Sequence, residues 1–207
     1  MRKVLLILSF IFLTGGWTIC LLPGRVEPAV RNIIYVHVPS AITSLVCMVA
    51  VLIGSIQYLR TKKDKWDFFA AGSVEAGFIF ATVLNITGCI FAKAEWEVWW
   101  TPSARLVSSA TLWFLYTAYL ILRSNTAGKL RKKVCAVTGI IASVDVPFVL
   151  ISARFIRDIH QPGFSFETGW QYSGLAMLIA GSLLLASVWV LVRIRIFRIE
   201  SKIYDYK

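Results

Sequence analysis

Six runs of mostly apolar residues dominate this chain, at about 4–22, 32–59, 68–91, 105–122, 134–152 and 172–192. Roughly 20 apolar residues is the length a helix needs to cross a bilayer, where every backbone N–H and C=O must be satisfied without water. The pattern predicts an all-α fold: an integral membrane bundle of six transmembrane helices, one domain over 1–207. Composition agrees. With 57% hydrophobic and 16% charged residues, too little polar surface remains to cover a soluble globule. The segments between runs are too short to bury a core of their own. The first run follows Met1-Arg2-Lys3 as a signal peptide would. It lacks a small-x-small cleavage pattern before Leu21-Leu22-Pro23, so a retained helix is expected.

The net charge is +11, which in a soluble protein would suggest a nucleic-acid partner. Here about three quarters of the Lys and Arg fall at the two termini and in the second and fourth connections, the distribution expected of cytoplasmic loops. Both termini are therefore expected to be cytoplasmic, and the charge needs no nucleic acid. The basic end, Arg193–Lys207, reads as a solvated tail, with partner docking as the alternative. Three segments face outward: about 23–31, 92–104 and 153–171. The cysteines, Cys20, Cys47, Cys89 and Cys135, lie in or beside apolar runs without a C-x-x-C or C-x-x-C-H spacing, and read as packing residues. No P-loop, zinc-protease or G-x-S-x-G pattern occurs, so no hydrolytic or ATPase site is expected.

The outward segments hold both histidines, in His37-Val38-Pro39 and His160-Gln161-Pro162. Each could be an ordinary surface or hydrogen-bonded residue. Two on one face, from different segments, also suit a shared metal or haem iron, for which neutral imidazole is a usual ligand. The second outward segment places Trp96, Trp99 and Trp100 within five positions. That cluster is either an interfacial aromatic belt or a platform for a planar apolar ligand. Arg105, at the mouth of the fourth run, either snorkels to headgroups or pairs with a carboxylate on a ligand. Glu75 and Asp145 fall inside predicted spans, with Asp145 mid-span, two residues before Pro147. Intramembrane carboxylates are functional candidates, and a helix-to-helix hydrogen bond is the structural alternative.

At these residues the sequence resembles the cytochrome c maturation protein C (CcmC) family, haem-handling exporter subunits of bacterial and some organellar membranes. Tyr35-Val36-His37-Val38-Pro39-Ser40-Ala41 is similar to the family's first histidine segment. Thr87-Gly88, Trp96, Trp99-Trp100 and Ala104-Arg105-Leu106 resemble the end of its third span and its tryptophan-rich loop. Asp145-Val146-Pro147 through Ser152, Arg157 and His160-Gln161-Pro162 resemble its fifth span and second histidine segment. The resemblance implies a protein of the bacterial inner membrane that holds non-covalent haem b at the periplasmic face. His37 and His160 would be axial ligands, Trp96, Trp99 and Trp100 the platform, and Arg105 a propionate partner. The implied partners are a periplasmic haem chaperone, the ATPase and membrane subunits of an ABC transporter, and a small single-span subunit. The implied role is haem delivery for cytochrome c assembly rather than classical catalysis.

This chain departs from the family pattern at identifiable places. Glu97 stands where glycine usually follows the first Trp, Pro102-Ser103 where Trp-Asp is usual, and Phe155-Ile156 where a Trp-Trp pair is common. The alternatives are a core like that of the larger cytochrome c synthases, which join haem to apocytochrome themselves, and a haem-free structural subunit of a transporter complex.

Overall fold

A computed structural model describes residues 2–21, 31–155 and 169–205. Among them are seven α-helices, a short 3-10 helix at Arg31–Ile33 and no strand: α1 (Arg2–Cys20), α2 (Ile34–Thr61), α3 (Asp64–Trp96), α4 (Ala104–Asn125), α5 (Gly128–Ser143), α6 (Asp145–Phe155) and α7 (Gly169–Asp205). Six segments are long and apolar enough to cross a membrane, α5 and α6 together forming one of them. Exposed Ile7, Phe10, Ile79, Ile86, Phe114, Ile121 and Ile141 show that the outer surface is apolar, as a lipid-facing surface must be.

The antiparallel pair α2–α3 is the centre. Ala70 packs into the space left by Gly54, and a core of Met48, Val51, Val74, Ala81, Leu112, Tyr116 and Cys135 joins α2 and α3 to α4 and α5. Tyr116 on α4 reaches across this core, and its hydroxyl donates to the Ser44 carbonyl at 2.6 Å. On the other flank α7 lies along α2, where Thr43 and Ser182 share a hydrogen bond of 2.7 Å. The first helix packs chiefly on α7. Gly174 leaves room for the Cys20 sulfur and Gly181 for Leu13, and Ser9 donates to the Gly181 carbonyl at 3.1 Å. Small residues let membrane helices approach closely. Since α1 and α7 run antiparallel, the start of α1 and the end of α7 lie at one end of the bundle.

Three boundaries differ from the sequence reading. The span expected over 134–152 is broken at Val144, because Pro147 has no N–H for the Ser143 carbonyl and its ring crowds that carbonyl. Asp145 consequently opens α6 instead of sitting in mid-helix. Helix α3 runs on through Trp96, so the first tryptophan of the expected loop is helical. Finally, α7 continues as helix to Asp205, beyond the expected span end at 192, with Arg195, Arg198 and Glu200 exposed on it. All four cysteines are free, and Cys20, Cys47 and Cys135 are buried.

Candidate functional site at the loop end of the bundle

His37 occupies the first turn of α2, followed by Pro39 within the helix. Its Nδ1 lies 3.0 Å from the Thr87 hydroxyl of α3. That hydroxyl also lies 2.7 Å from the Val83 carbonyl and 3.1 Å from the Leu84 carbonyl. Threonine has one hydroxyl proton, which goes either to the helix backbone, leaving the oxygen to accept from the ring, or to the imidazole. His37 Nδ1 accepts in the second case and, as Nδ1–H, donates in the first. The Nδ1–H tautomer carries its lone pair on Nε2, the arrangement in which an imidazole binds a metal while its other nitrogen is anchored. The next residue, Gly88, faces the ring: a Cβ there would lie 3.2 Å from His37 Cε1. The Thr-Gly pair thus orients the imidazole and leaves it room. Neither role is apparent from the Thr87-Gly88 motif by itself. A polar residue beside glycine near the end of an apolar span was the available signal.

The tryptophan segment begins as α3 ends. Trp96 meets Phe91 edge to face, with ring centroids 5.7 Å apart. Glu97 then takes φ 60°, the left-handed conformation that terminates α3. Glycine adopts this conformation without strain, whereas a side chain costs about 1 kcal/mol. Lys93 partly offsets the strain by donating from Nζ to the Glu97 carbonyl at 2.8 Å. Trp99 and Trp100 are 62% and 46% exposed. At Ser103 the side chain caps α4, its hydroxyl accepting from the Leu106 N–H. Serine and aspartate are both good N-caps, so Ser103 preserves the cap while removing a carboxylate. Arg105 follows in the first turn of α4 and is half-buried.

Trp99 covers an apolar groove of about 400 Å³ between α3 and α4, lined by Thr82, Asn85, Ile86, Cys89, Ile90 and Trp113. Trp113, which the sequence reading did not single out, donates from Nε1 to Thr82 at 2.9 Å. The groove residues recur at helical spacing on the side of α3 opposite Thr87 and Gly88. His37, the tryptophans and Arg105 therefore share one end of the bundle, away from the start of α1 and the end of α7, with the last turns of α3 standing between His37 and the groove. His160, the other histidine, lies outside the described residues. No group of three His, Cys, Asp or Glu able to hold a bare metal ion occurs among the described residues.

The two intramembrane carboxylates are apart from this end or from each other. Glu75 pairs with Arg193 of α7 through both carboxylate oxygens, Arg193 Nη2 lying 2.7 Å from Oε1. Trp189 Nε1 donates to the same carboxylate at 3.3 Å, and the guanidinium stacks over Phe197, 4.5 Å from its centroid. This is a helix-to-helix clamp. A second clamp was not anticipated from sequence: Asp67 on α3 takes both guanidinium nitrogens of Arg123 on α4 at 2.9 Å each. Asp145 is buried, and its Oδ2 has no hydrogen-bond partner among the described residues.

The family model described as Heme exporter protein C matches residues 1–206. A putative cytochrome c biosynthesis ccmC-like mitochondrial protein of Marchantia polymorpha is 30% identical over 171 residues, covering 83% of this chain and 72% of that protein. Heme exporter protein C of Escherichia coli strain K12 is 27% identical over 198 residues, covering 92% and 81% of the two chains. Heme exporter protein C of Paracoccus denitrificans is 26% identical over 180 residues, covering 82% and 73%. With its six spans and a match over nearly its whole length, the chain belongs to the heme exporter protein C family, multi-pass membrane proteins that handle haem in cytochrome c biogenesis.

Proposed function

We propose that the protein holds non-covalent haem b at the periplasmic face of the bacterial inner membrane and presents it to a periplasmic haem chaperone. The observation that carries this reading is the anchored imidazole of His37, whose Nδ1 lies 3.0 Å from the Thr87 hydroxyl. Haem is the cargo. His37 Nε2 would be one axial ligand and His160 the other; two imidazoles fill both axial positions and leave oxygen no site on the iron. Trp96, Trp99 and Trp100 supply aromatic surface at the same end, and Arg105 supplies a cation for a propionate. An exposed rim suits hand-over, since a cargo buried between helices could not be passed on without opening the bundle. The E. coli and P. denitrificans relatives carry the name exporter. That supports an ABC transporter, with its ATPase and membrane subunits and a small single-span subunit, as the setting for this chain.

The test is spectroscopic. Protein from haem-replete membranes lacking the periplasmic acceptor should show a bis-imidazole ferrous spectrum, which His37→Ala and His160→Ala each weaken at unchanged protein level. Absence of haem from the wild type under those conditions would leave a structural subunit. An alkaline phosphatase fusion after Arg157 should be active and one after Lys132 inactive; the opposite pattern would invert the membrane orientation.

A further inference from the structure

The opposite end of the bundle carries a recess of about 540 Å³ between α1 and α7. Arg2 of α1 and Arg195, Arg198 and Lys202 of α7 rim it, and Leu191 and Ile194 form its floor. The α7 residues recur at helical spacing on one face. Among the described residues none of the four cations pairs with a carboxylate, whereas neighbouring cations do: Arg193 with Glu75, Arg123 with Asp67 and Lys132 with Asp64. Glu200, the nearest acid along α7, lies two residues beyond Arg198 and so points roughly to the other side of the helix. Four like charges converging without a counter-charge repel one another, and an anion seated among them relieves that repulsion.

The depth of the recess is set by α1. Its 19 residues rise about 28 Å, close to the roughly 30 Å hydrocarbon core. Arg2, its first residue, therefore lies at headgroup level. Along the antiparallel seam, where Cys20 meets Gly174 and Ser9 meets Gly181, Arg2 falls level with about residue 190 of α7, and Arg195 and Arg198 stand about 7 and 12 Å further out, lining the same recess. A guanidinium fork fits a phosphate oxygen pair, and the apolar floor fits acyl chain instead of water. From this geometry we infer that the recess binds one anionic phospholipid, its headgroup phosphate between Arg2, Arg195 and Arg198 and its chains against Leu191 and Ile194. Phosphate chemistry brings the anion and the apolar floor selects the lipid. The site is independent of the haem-binding reading.

The full chain, extracted in mild detergent, should retain about one anionic phospholipid in native mass spectrometry. Arg195→Gln/Arg198→Gln/Lys202→Gln should lower that occupancy at least tenfold. A control removing three exposed lysines from the connections at the same end, Lys63→Gln/Lys129→Gln/Lys133→Gln, should leave it unchanged. Equal loss in both would mean diffuse face charge and overturn the proposal. So would displacement of the lipid by millimolar inorganic phosphate, which would mark a free-phosphate site. Lack of retained anionic phospholipid in the wild type would also overturn it, leaving an acidic partner segment as the occupant. Should the triple variant fail to fold, Arg198→Lys, which keeps the charge but loses the fork, should reduce occupancy severalfold, and unchanged occupancy in that variant counts against the site.

Discussion

Replacing Thr87 by valine tests the orientation of His37 with little change of shape. The hydroxyl lies 3.0 Å from His37 Nδ1 and 2.7 Å from the Val83 carbonyl; with its proton on that carbonyl it accepts from Nδ1–H, which is the arrangement tested. Valine removes both interactions but keeps the branched side chain in place. The Val83 carbonyl loses little, because helix carbonyls already have backbone partners. The histidine loses more: a neutral hydrogen bond contributes about 1 kcal/mol net, and an unsatisfied donor in a half-buried setting adds a few tenths. At 1.36 kcal/mol per factor of ten, the ratio of the Nδ1–H to the Nε2–H tautomer should fall about five- to tenfold. The chain has only two histidines, so ¹⁵N-histidine labelling gives two resolvable imidazoles, and His37→Ala identifies which is which. Wild type should show a protonated Nδ1 on His37, Thr87→Val a mixture, and Thr87→Ser the wild-type pattern. Ring nitrogen shifts identical in wild type and Thr87→Val would refute the argument that Thr87 fixes the tautomer, without needing haem. If they shift, haem retention should weaken in parallel and recover in Thr87→Ser.

Other outcomes follow from the packing. Asp67→Asn removes the carboxylate from a guanidinium whose side chain is 11% exposed; an uncompensated buried charge of that kind costs about 3–5 kcal/mol. The thermal midpoint in detergent should drop sharply, and Arg123→Met in the same chain should recover part of it. Gly77→Ala drives a methyl into the buried ring of Tyr116 and should destabilise by about 1–3 kcal/mol, with Tyr116→Leu partly relieving the clash; equal midpoints for wild type and Gly77→Ala would contradict it. Glu97→Gly releases a non-glycine residue from φ 60° and should stabilise by up to about 1 kcal/mol, read as a higher midpoint with haem binding retained.

The number of spans and the bundle end that gathers His37, Trp99 and Arg105 were legible because hydropathy and basic-residue placement record them directly. Partners were not legible. Glu75 declares itself as an intramembrane carboxylate, but Arg193 stands 118 positions away in a stretch that composition marks as solvated tail. Only the continuation of α7 beyond the membrane core brings the two together. Thr87 was quoted without a role for the same reason: its meeting with His37 depends on the α2–α3 register, which no local pattern encodes. The break at Val144 was readable in principle, since Pro147 sits four residues after Ser143, but the apolar run across it masked the interruption. The departures at Glu97 and Ser103 become intelligible only with backbone angles, which show one as a strained helix end and the other as an N-cap.

The seam between α1 and α7 also bears on biosynthesis. Ser9 and Gly181 are 172 residues apart, and ribosomes add about 5–20 residues per second. The opening helix must therefore wait in the lipid for about 10–30 s before the partner that holds it is synthesised. During that interval its small-residue face is open to other helices in the bilayer. Completion of this protein is consequently a competition between its own last span and every passing neighbour able to occupy that face first.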